Sequence, residues 1–208
     1  MNAGTGYLLI VEDDPDIRKL LDTTLSFKGY RVITARNGRE ALEVVQKEIP
    51  TIVIADIMMP QLDGFGLVHR LRIAPETRNV PVVFITATYV APEDKEFALN
   101  IGATRFIQKP VDLEVFLKTI AELLKLGVHA AEPLNEFNFY DGYRQRLEAK
   151  LDQKNKQIAR EEHLLGSHSD AEDQGLQVSL RHALKEREEL KLLIDQIHKR
   201  LEKIARSK

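Results

Sequence analysis

The sequence contains no cysteine and no tryptophan, and it has no long run of apolar residues. The absence of cysteine excludes disulfide bridges and thiolate metal sites. Residues 1–11 have no basic segment and only a short apolar run, which is not the pattern of a secretory signal. No apolar stretch approaches the roughly 20 residues that a membrane-spanning helix requires. We therefore expect a cytoplasmic protein that does not enter a membrane.

Neither sign of charge dominates the chain, which has 30 Lys and Arg against 32 Asp and Glu and a net charge of −2. A protein that binds nucleic acid by electrostatics alone needs a strong basic excess, so this balance argues against such a protein and leaves only a local patch open. At 208 residues the chain can form one domain and a smaller appendage.

The first 125 residues alternate short apolar runs with amphipathic segments. The apolar runs, which are rich in Val, Ile and Leu, predict strands at 7–11, 30–34, 51–55, 81–85 and 104–107. The segments between them predict helices near 15–28, 38–48, 63–73, 92–100 and 112–125. Continuous apolar strands separated by helices are typical of a parallel sheet covered on both faces. We predict an α/β fold with an open, doubly wound, five-stranded parallel sheet, whose site lies beyond the carboxyl ends of the strands.

Acidic residues follow the carboxyl ends of two predicted strands, where an open, doubly wound sheet has its site. Glu12 and Asp13 follow the first predicted strand, and Asp56 follows the third. These strand ends are adjacent in such a sheet, so the three carboxylates converge and repel one another unless a cation lies among them. Oxygen ligands without His or Cys suit Mg²⁺. The alternative is that the acids are solvated loop residues or helix caps, and Asp14 before Pro15 is predicted as a helix N-cap.

A hydroxyl and an ammonium group complete this predicted pocket. Thr86 follows the fourth predicted strand, and Lys109 follows the fifth. Together with a metal-bound carboxylate they form a site for a phosphoryl group. Asp56 can act as the nucleophile, the cation neutralises developing charge, and Lys109 binds a transferred oxygen.

Four segments resemble the receiver domain of response regulators in their order and spacing. They are residues 8–15 (LLIVEDDP), 56–60 (DIMMP) with Gly64, 86–87 (TA) and 106–110 (FIQKP). The resemblance covers about residues 6–125 and implies a flavodoxin-like receiver. It also implies two-component signal transduction, in which the protein is not an enzyme beyond catalysing its own phosphorylation and dephosphorylation.

The resemblance implies a role for each residue of the site. Asp56 would accept phosphate from a sensor histidine kinase. Asp13 would ligate Mg²⁺ directly, Glu12 would act largely through water, and Met58 would lend its backbone carbonyl. Glu12 replaces the commoner Asp of the pair, which we expect to alter the metal geometry slightly.

The resemblance further implies a switch. Thr86 would hydrogen-bond the phosphoryl group, and Phe106 would turn inward into the space vacated, changing the face formed by the fourth helix, fifth strand and fifth helix. Simple core packing is the alternative for Phe106. Many DNA-binding relatives carry a pair of acids before this aromatic, in a charged dimer face; Thr104 and Arg105 stand there instead, which argues against that dimer mode.

The chain after residue 126 has a different pattern. We predict a receiver domain over 6–126, a linker over 127–135 and an α-helical hairpin or coiled coil over 136–208, with helices at about 136–165 and 176–206 and a turn at 166–175. The second helix carries a heptad interrupted at one polar position, and the first is weaker but in phase, which predicts an antiparallel hairpin. The second-helix positions are Leu176, Leu180, Ala183, Arg187, Leu190, Ile194, Ile197, Leu201 and Ile204. The first-helix positions are Tyr140, Arg144, Leu147, Leu151, Lys154, Ile158, Glu161 and Leu165.

Three outputs remain open for this hairpin. The first is homodimerisation, two hairpins forming a four-helix bundle, and contact with an unknown downstream protein; the near balance of 15 Lys and Arg with 14 Asp and Glu from residue 136 onward favours it. The second is transcription regulation or RNA binding through mixed basic clusters, which are Arg144, Arg146 and Lys150 and then Lys199, Arg200 and Lys203. The third is a phosphorelay that uses a helix histidine, for which His163 and His182 are the candidates.

Overall fold

The computed structural model describes residues 6–87, 91–126, 134–166 and 173–206. The chain divides into two compact units, Met1–Leu134 and Asn135–Lys208. Within the described ranges, no helix combines the length and the apolar character needed to cross a membrane. Most of the predicted linker and most of the predicted turn, residues 127–133 and 167–172, lie outside the described residues.

The first unit contains a parallel sheet in which the strands are ordered β2-β1-β3-β4-β5. The strands are β1 (Leu8–Val11), β2 (Val32–Ala35), β3 (Ile52–Ala55), β4 (Val82–Thr86) and β5 (Arg105–Gln108). Val11 lies level with both Ala35 and Ala55, so the carboxyl ends of the three neighbouring strands coincide. The predicted doubly wound fold is confirmed, and its carboxyl edge is the expected place for a site.

Four helices connect the strands and a fifth follows β5, and acidic or amide side chains begin most of these helices. The helices are α1 (Pro15–Phe27), α2 (Gly38–Lys47), α3 (Gly64–Ile73), α4 (Pro92–Asn100) and α5 (Leu113–Leu126). Asp14 accepts hydrogen bonds from the backbone N–H groups of Asp16 and Ile17, which confirms the predicted N-cap. Asp63 and Asp112 are also caps, so α3 and α5 begin one residue later than predicted.

Backbone pairing extends three strands by one residue beyond their predicted ends. The N–H group of Lys109 donates to the carbonyl of Thr86 at 2.9 Å, and Thr86 lies level with Gln108. Thr86 is therefore the last residue of β4, and the prediction that it follows the strand is wrong in this respect. The strand β2 likewise ends at Ala35 and β5 at Gln108.

Apolar side chains cover the sheet on both faces. On one face, α1 and α5 pack on β1, β3 and β4 through a cluster that includes Leu21, Leu25, Phe116 and Ile120. A group of edge-to-face aromatic contacts joins β4 to α3 and α4, with Phe65 lying 5.6 Å from Phe84 and 5.1 Å from Phe97 between ring centroids. Burial on both faces explains why β1, β3 and β4 read as continuous apolar runs.

The second unit contains two long antiparallel helices, α6 (Glu136–Leu165) and α7 (Asp173–Arg206). Lys154 of α6 pairs with Glu186 of α7 at 2.6 Å, and Ser179 donates to Glu161 at 3.0 Å. The later residue of α6, Glu161, thus contacts the earlier residue of α7, Ser179, which is the order of contacts that antiparallel helices produce. The predicted long C-terminal helices are confirmed, although α7 begins at Asp173 rather than at 176, so that Gly175 lies inside its first turn.

The heptad face of α7 is the face that packs on α6. Ala183, Leu190, Ile194 and Ile197 are buried, and the other predicted positions of this face are partly buried. The first turns of α6 differ from the prediction, because the residues buried there are Phe139 and Tyr143 rather than Tyr140 and Arg144. Two aromatic rings one turn apart contribute more apolar surface than the predicted pair, which rotates the contact by one residue. The predicted phase returns at Leu147.

Candidate functional site

Three carboxylates meet at the carboxyl edge of the sheet. Glu12 and Asp13 follow β1, and Asp56 follows the neighbouring β3. One oxygen from each of the three lies within 4.8 Å of the other two. Glu12 and Asp56 are buried, whereas Asp13 is exposed, so the cluster opens to solvent on one side.

Lys109 supplies a positive charge to this cluster from the far edge of the sheet. It follows β5 and reaches past β4, and its Nζ lies 2.7 Å from Asp56 Oδ2 and 2.9 Å from Glu12 Oε2. The peptide bond between Lys109 and Pro110 is cis. The lysine therefore joins the ends of β1, β3 and β5 through two short ion pairs with little exposure to water.

The electrostatics of the cluster are those of a site with an excess of negative charge. Burial raises the pKa of Glu12 to about 7, with a further contribution from the charge of Asp56, although the hydrogen bond from Lys109 opposes the rise. Although Asp13 is exposed, partial loss of hydration beside the cluster raises its pKa as well, and the charge of Asp56 adds to the rise. Burial alone would lower the pKa of Lys109, but its hydrogen bonds to Asp56 and Glu12 outweigh that effect and raise the pKa. A second cation would relieve the repulsion that remains.

The two oxygens of Asp56 have different surroundings. Oδ1 accepts hydrogen bonds from the backbone N–H groups of Ile57, at 2.5 Å, and Met58, at 3.3 Å. Oδ2 contacts the ammonium group of Lys109. The carboxylate is thus oriented by backbone N–H groups on one side and by the ammonium group of Lys109 on the other.

A glycine allows the backbone behind Asp56 to close tightly. The N–H group of Gly64 donates to the carbonyl of Ile57 at 2.8 Å, which fastens the start of α3 to the loop after β3. A Cβ atom at this position would lie 2.8 Å from the ring of Phe84 and 2.9 Å from the Cα of Ile57, and closer still to the carbonyl oxygen of Asp56. Only glycine fits there without displacing the backbone of Asp56 and Ile57.

The residues predicted to form a switch lie on β4 and β5. Thr86 is fully buried at the end of β4, next to the strand that carries Asp56. Phe106 is partly buried on β5 and lies level with Phe84 of β4. Arg105 is exposed, and Thr104 accepts a hydrogen bond from the N–H group of Val82 at 3.1 Å.

Arg18 is a residue near the site that the sequence prediction did not identify. Its Nη1 donates to the backbone carbonyls of Glu12, at 2.6 Å, and Asp13, at 3.1 Å. Arginine is common in the first turns of amphipathic helices, so its presence in α1 does not indicate a role in the site. Only its position six residues after Glu12 could have suggested that it lies near the acids.

The cluster fits a hard divalent cation. All its ligand atoms are oxygens, two of the three carboxylates are buried, and the pocket also holds an ammonium group. Mg²⁺ prefers such a donor set and retains water and phosphate oxygens as further ligands. A doubly wound sheet with this cluster at the carboxyl ends of its strands defines an α/β domain suited to a divalent cation and a phosphoryl group.

A comparison with protein families identifies the domain further. Residues 8–121 match the response regulator receiver domain. The chain belongs to this family, whose members act in two-component signalling, and the predicted resemblance is confirmed. Receiver domains generally use Mg²⁺ at an acidic pocket and interact with a histidine kinase.

Similar proteins match about half of the chain. A "Probable transcriptional regulator ycf27" of Pyropia yezoensis is 40% identical over 116 residues, which are 54% of this chain and 46% of that protein. An uncharacterised 14.6 kDa protein of Leptolyngbya boryana is 40% identical over 105 residues, covering 50% of this chain and 79% of that protein. The chain therefore spans about half the length of the ycf27 relatives that it matches.

Solved structures of receiver domains share the fold. The chemotaxis protein CheY4 of Vibrio cholerae has a TM-score of 0.54 at 35% identity and covers 57% of this chain and 98% of its own. The signal receiver domain of a histidine kinase from Syntrophus aciditrophicus has a TM-score of 0.55 at 35% identity, covering 63% and 98%.

Proposed function

We propose that Asp56 accepts a phosphoryl group from a sensor histidine kinase in a Mg²⁺-dependent reaction, and that the phosphorylated receiver controls the C-terminal hairpin. The observation that carries this proposal is the bridge from Lys109 to Asp56 and Glu12, with Asp13 in the same cluster. It joins a nucleophile, an acidic cation site and a phosphate-binding cation within one pocket.

The reaction follows from the positions of these groups. A carboxylate oxygen of Asp56 attacks the phosphorus of a phosphohistidine, the P–N bond breaks, and the imidazole of the kinase takes the electron pair. Lys109 exchanges its contact with Asp56 for an oxygen of the transferred group. Glu12, Asp13, Asp56 and the backbone carbonyl of Met58 would hold Mg²⁺, which when bound neutralises charge on the transferring group. Because the chain promotes only its own phosphorylation and dephosphorylation, it has no separate substrate to turn over.

The change of state begins at the end of β4. The hydroxyl of Thr86 moves to hydrogen-bond the phosphoryl oxygens, and Phe106 turns inward into the space vacated. Their backbone positions favour this coupling, because Thr86 ends β4 and Phe106 lies on the strand paired with it. The added phosphate makes contacts in only one of the two arrangements, which shifts the population towards that arrangement.

We propose that the hairpin acts by homodimerisation and by contact with a downstream protein. Its apolar residues are largely used in the contact between α6 and α7, and the exposed faces carry ion pairs such as Lys156 with Asp152 and Lys191 with Glu188. Mixed charge of this kind favours specific pairing of protein surfaces over binding to a polyanion. His163 and His182 are both exposed, and they would matter only if a phosphoryl group passed beyond Asp56.

The test has two readouts on the full chain. Intact mass after incubation with a small phosphodonor and Mg²⁺ should show one phosphoryl group in the wild type, none in Asp56→Asn, and one in Asp16→Asn, which removes an exposed acid at the start of α1. Absence of a label at Asp56 would overturn the proposal. A label that moves to histidine and is lost in His163→Gln would make the chain a relay intermediate.

Light scattering with Mg²⁺ and beryllofluoride, a phosphoryl mimic, tests the output. We expect the mass or shape to change in the wild type and not in Asp56→Asn. A dimer that stays constant under every condition would overturn phosphorylation-controlled assembly and leave the phosphorylation proposal standing. Binding to nucleic acid that weakens steeply with salt would replace the protein-interaction output by a transcriptional or RNA-binding one.

A further inference from the structure

Arg18 connects α1 to the turn that carries two of the three acids. A single nitrogen, Nη1, donates to the carbonyl oxygens of Glu12 and Asp13, at 2.6 and 3.1 Å. Arg18 is partly buried, and its hydrogen-bonded partners in the described residues are backbone oxygens rather than carboxylates. Its side chain therefore acts on the shape of the turn.

This turn is short and is fastened at both ends. At one end the N–H group of Glu12 donates to the carbonyl of Ala35 at 3.1 Å. At the other end Asp14 caps α1. Between these points, the carbonyls of Glu12 and Asp13 belong to neither a strand ladder nor a helix, and polar backbone groups near the interior need hydrogen-bond partners. Arg18 provides that partner for both.

We propose that Arg18 is a positioning residue for the divalent-cation site. By holding the two carbonyls it fixes the peptide planes on either side of Asp13, and so it sets the direction in which the carboxylates of Glu12 and Asp13 project. The inference rests on the proposed function of these acids as the metal site. It adds to that function a residue that touches neither the metal nor the phosphate.

The direction in which the Kd for Mg²⁺ changes when Arg18 is substituted distinguishes a positioning role from a purely electrostatic one. Arg18 carries a positive charge close to an acidic cluster, so removal of that charge alone would strengthen the binding of a cation. Loss of a group that orients the ligands weakens binding, by about tenfold or more in comparable metal sites. The two accounts therefore predict opposite shifts for the same substitution.

The experiment measures Mg²⁺ binding by calorimetry on the full chain, without phosphodonor. Arg18→Met keeps the aliphatic stem and removes the donors, and Lys19→Met removes the same charge from the next, exposed position of α1. We expect Arg18→Met to raise the Kd for Mg²⁺ about tenfold and Lys19→Met to leave it unchanged or lower it slightly. Arg18→Lys keeps the charge and one donor group, and its Kd should lie between those of Arg18→Met and the wild type.

Each outcome has a defined meaning. If Arg18→Met binds Mg²⁺ as tightly as the wild type or more tightly, the positioning role is overturned and the metal site stands. If the wild type itself does not bind Mg²⁺, the proposed function fails instead. Urea unfolding in EDTA shows whether Arg18→Met is folded. If it is not, Arg18→Lys decides, because a Kd equal to that of the wild type would then overturn the inference.

Discussion

Lys109 Nζ lies 2.9 Å from Glu12 Oε2, although 97 positions of sequence separate the two residues. Glu12 is 2% exposed and Lys109 is also poorly exposed, so the pair lies where water screens it weakly. Even so, burial keeps the pKa of Glu12 high, at about 7. The ammonium group is shared with Asp56 and does not fully compensate the buried charge.

The first prediction concerns the pH dependence of stability without metal. Since the pKa of Glu12 is raised in the folded state, its favourable contribution is present below about pH 4.5 and is lost as the pH rises through about 7. Glu12→Gln removes this titration. The free energy of unfolding of Glu12→Gln minus that of the wild type should therefore be larger at about pH 8 than at about pH 5, by about 1–3 kcal/mol. Urea unfolding in EDTA measures the difference. An equal difference between variant and wild type at both pH values would show that Glu12 does not titrate in this way. The control is Glu43→Gln, on an exposed face of α2, for which we expect no such pH dependence.

The second prediction concerns Gly64, which packs directly behind Asp56. Gly64→Ala places a methyl group against the ring of Phe84, the backbone of Ile57 and the carbonyl of Asp56, so we expect a loss of about 1–3 kcal/mol and slower phosphorylation. Gly175→Ala is the matched control, because nothing lies within 4 Å of its added Cβ. That change in α7 should be neutral or stabilising by up to about 1 kcal/mol. Equal effects of the two substitutions would mean that the turn after β3 can relax around a side chain.

The third prediction concerns a strained position in the loop between β3 and α3. Gln61 has φ of 66°, in the left-handed region that favours glycine. Gln61→Gly should therefore raise the free energy of unfolding by roughly 0.5–1 kcal/mol, while Glu43→Gly inside α2 should lower it by about 1 kcal/mol. Thermal unfolding followed by circular dichroism measures both. A loss of stability in Gln61→Gly would show that the side chain of Gln61 contributes more than its backbone strain costs.

The fourth prediction concerns the contact between α6 and α7. Leu147 is fully buried, whereas Leu192 is 63% exposed. Leu147→Ala should destabilise the hairpin by about 2–4 kcal/mol, and Leu192→Ala should change it by less than about 0.5 kcal/mol. Urea unfolding of the full chain, followed by the helical signal, compares the two. A large effect of Leu192→Ala would place that residue in an interface between copies of the chain.

Much of the fold was predictable because its signals are local. Apolar runs separated by amphipathic helices predict the parallel sheet, and caps such as Asp14 mark helix starts. The acidic cluster was predictable for a topological reason, since residues that follow adjacent strands must meet. The assignment of Thr86 to β4 could not be predicted from the sequence. The end of β4 depends on pairing with β5, and the apolar pattern within one strand contains no information about its neighbour.

Other features depend on contacts between distant residues. Arg72 is almost fully buried and donates to the carbonyl of Gly102 at 2.7 and 3.0 Å, yet in sequence it is one more basic residue of α3. Phe139 and Tyr143 replaced the predicted contacts of α6, Tyr140 and Arg144, because two aromatic rings one turn apart bury more apolar surface than one ring and an arginine. Arg18 was missed for a different reason, since its partners are near in sequence but are backbone oxygens, which no residue pattern marks.

The position of β5 at the border of the sheet has a mechanical consequence. Among the described strands, β1 and β3 each have neighbours on both sides, whereas β5 pairs only with β4. Glu12, Asp13 and Asp56 thus follow central strands of the sheet, whereas Phe106 and Lys109 lie on or beside one of its two border strands. A displacement of β5 disturbs hydrogen bonds along a single border, so β5 can move without deforming the centre that holds the acids.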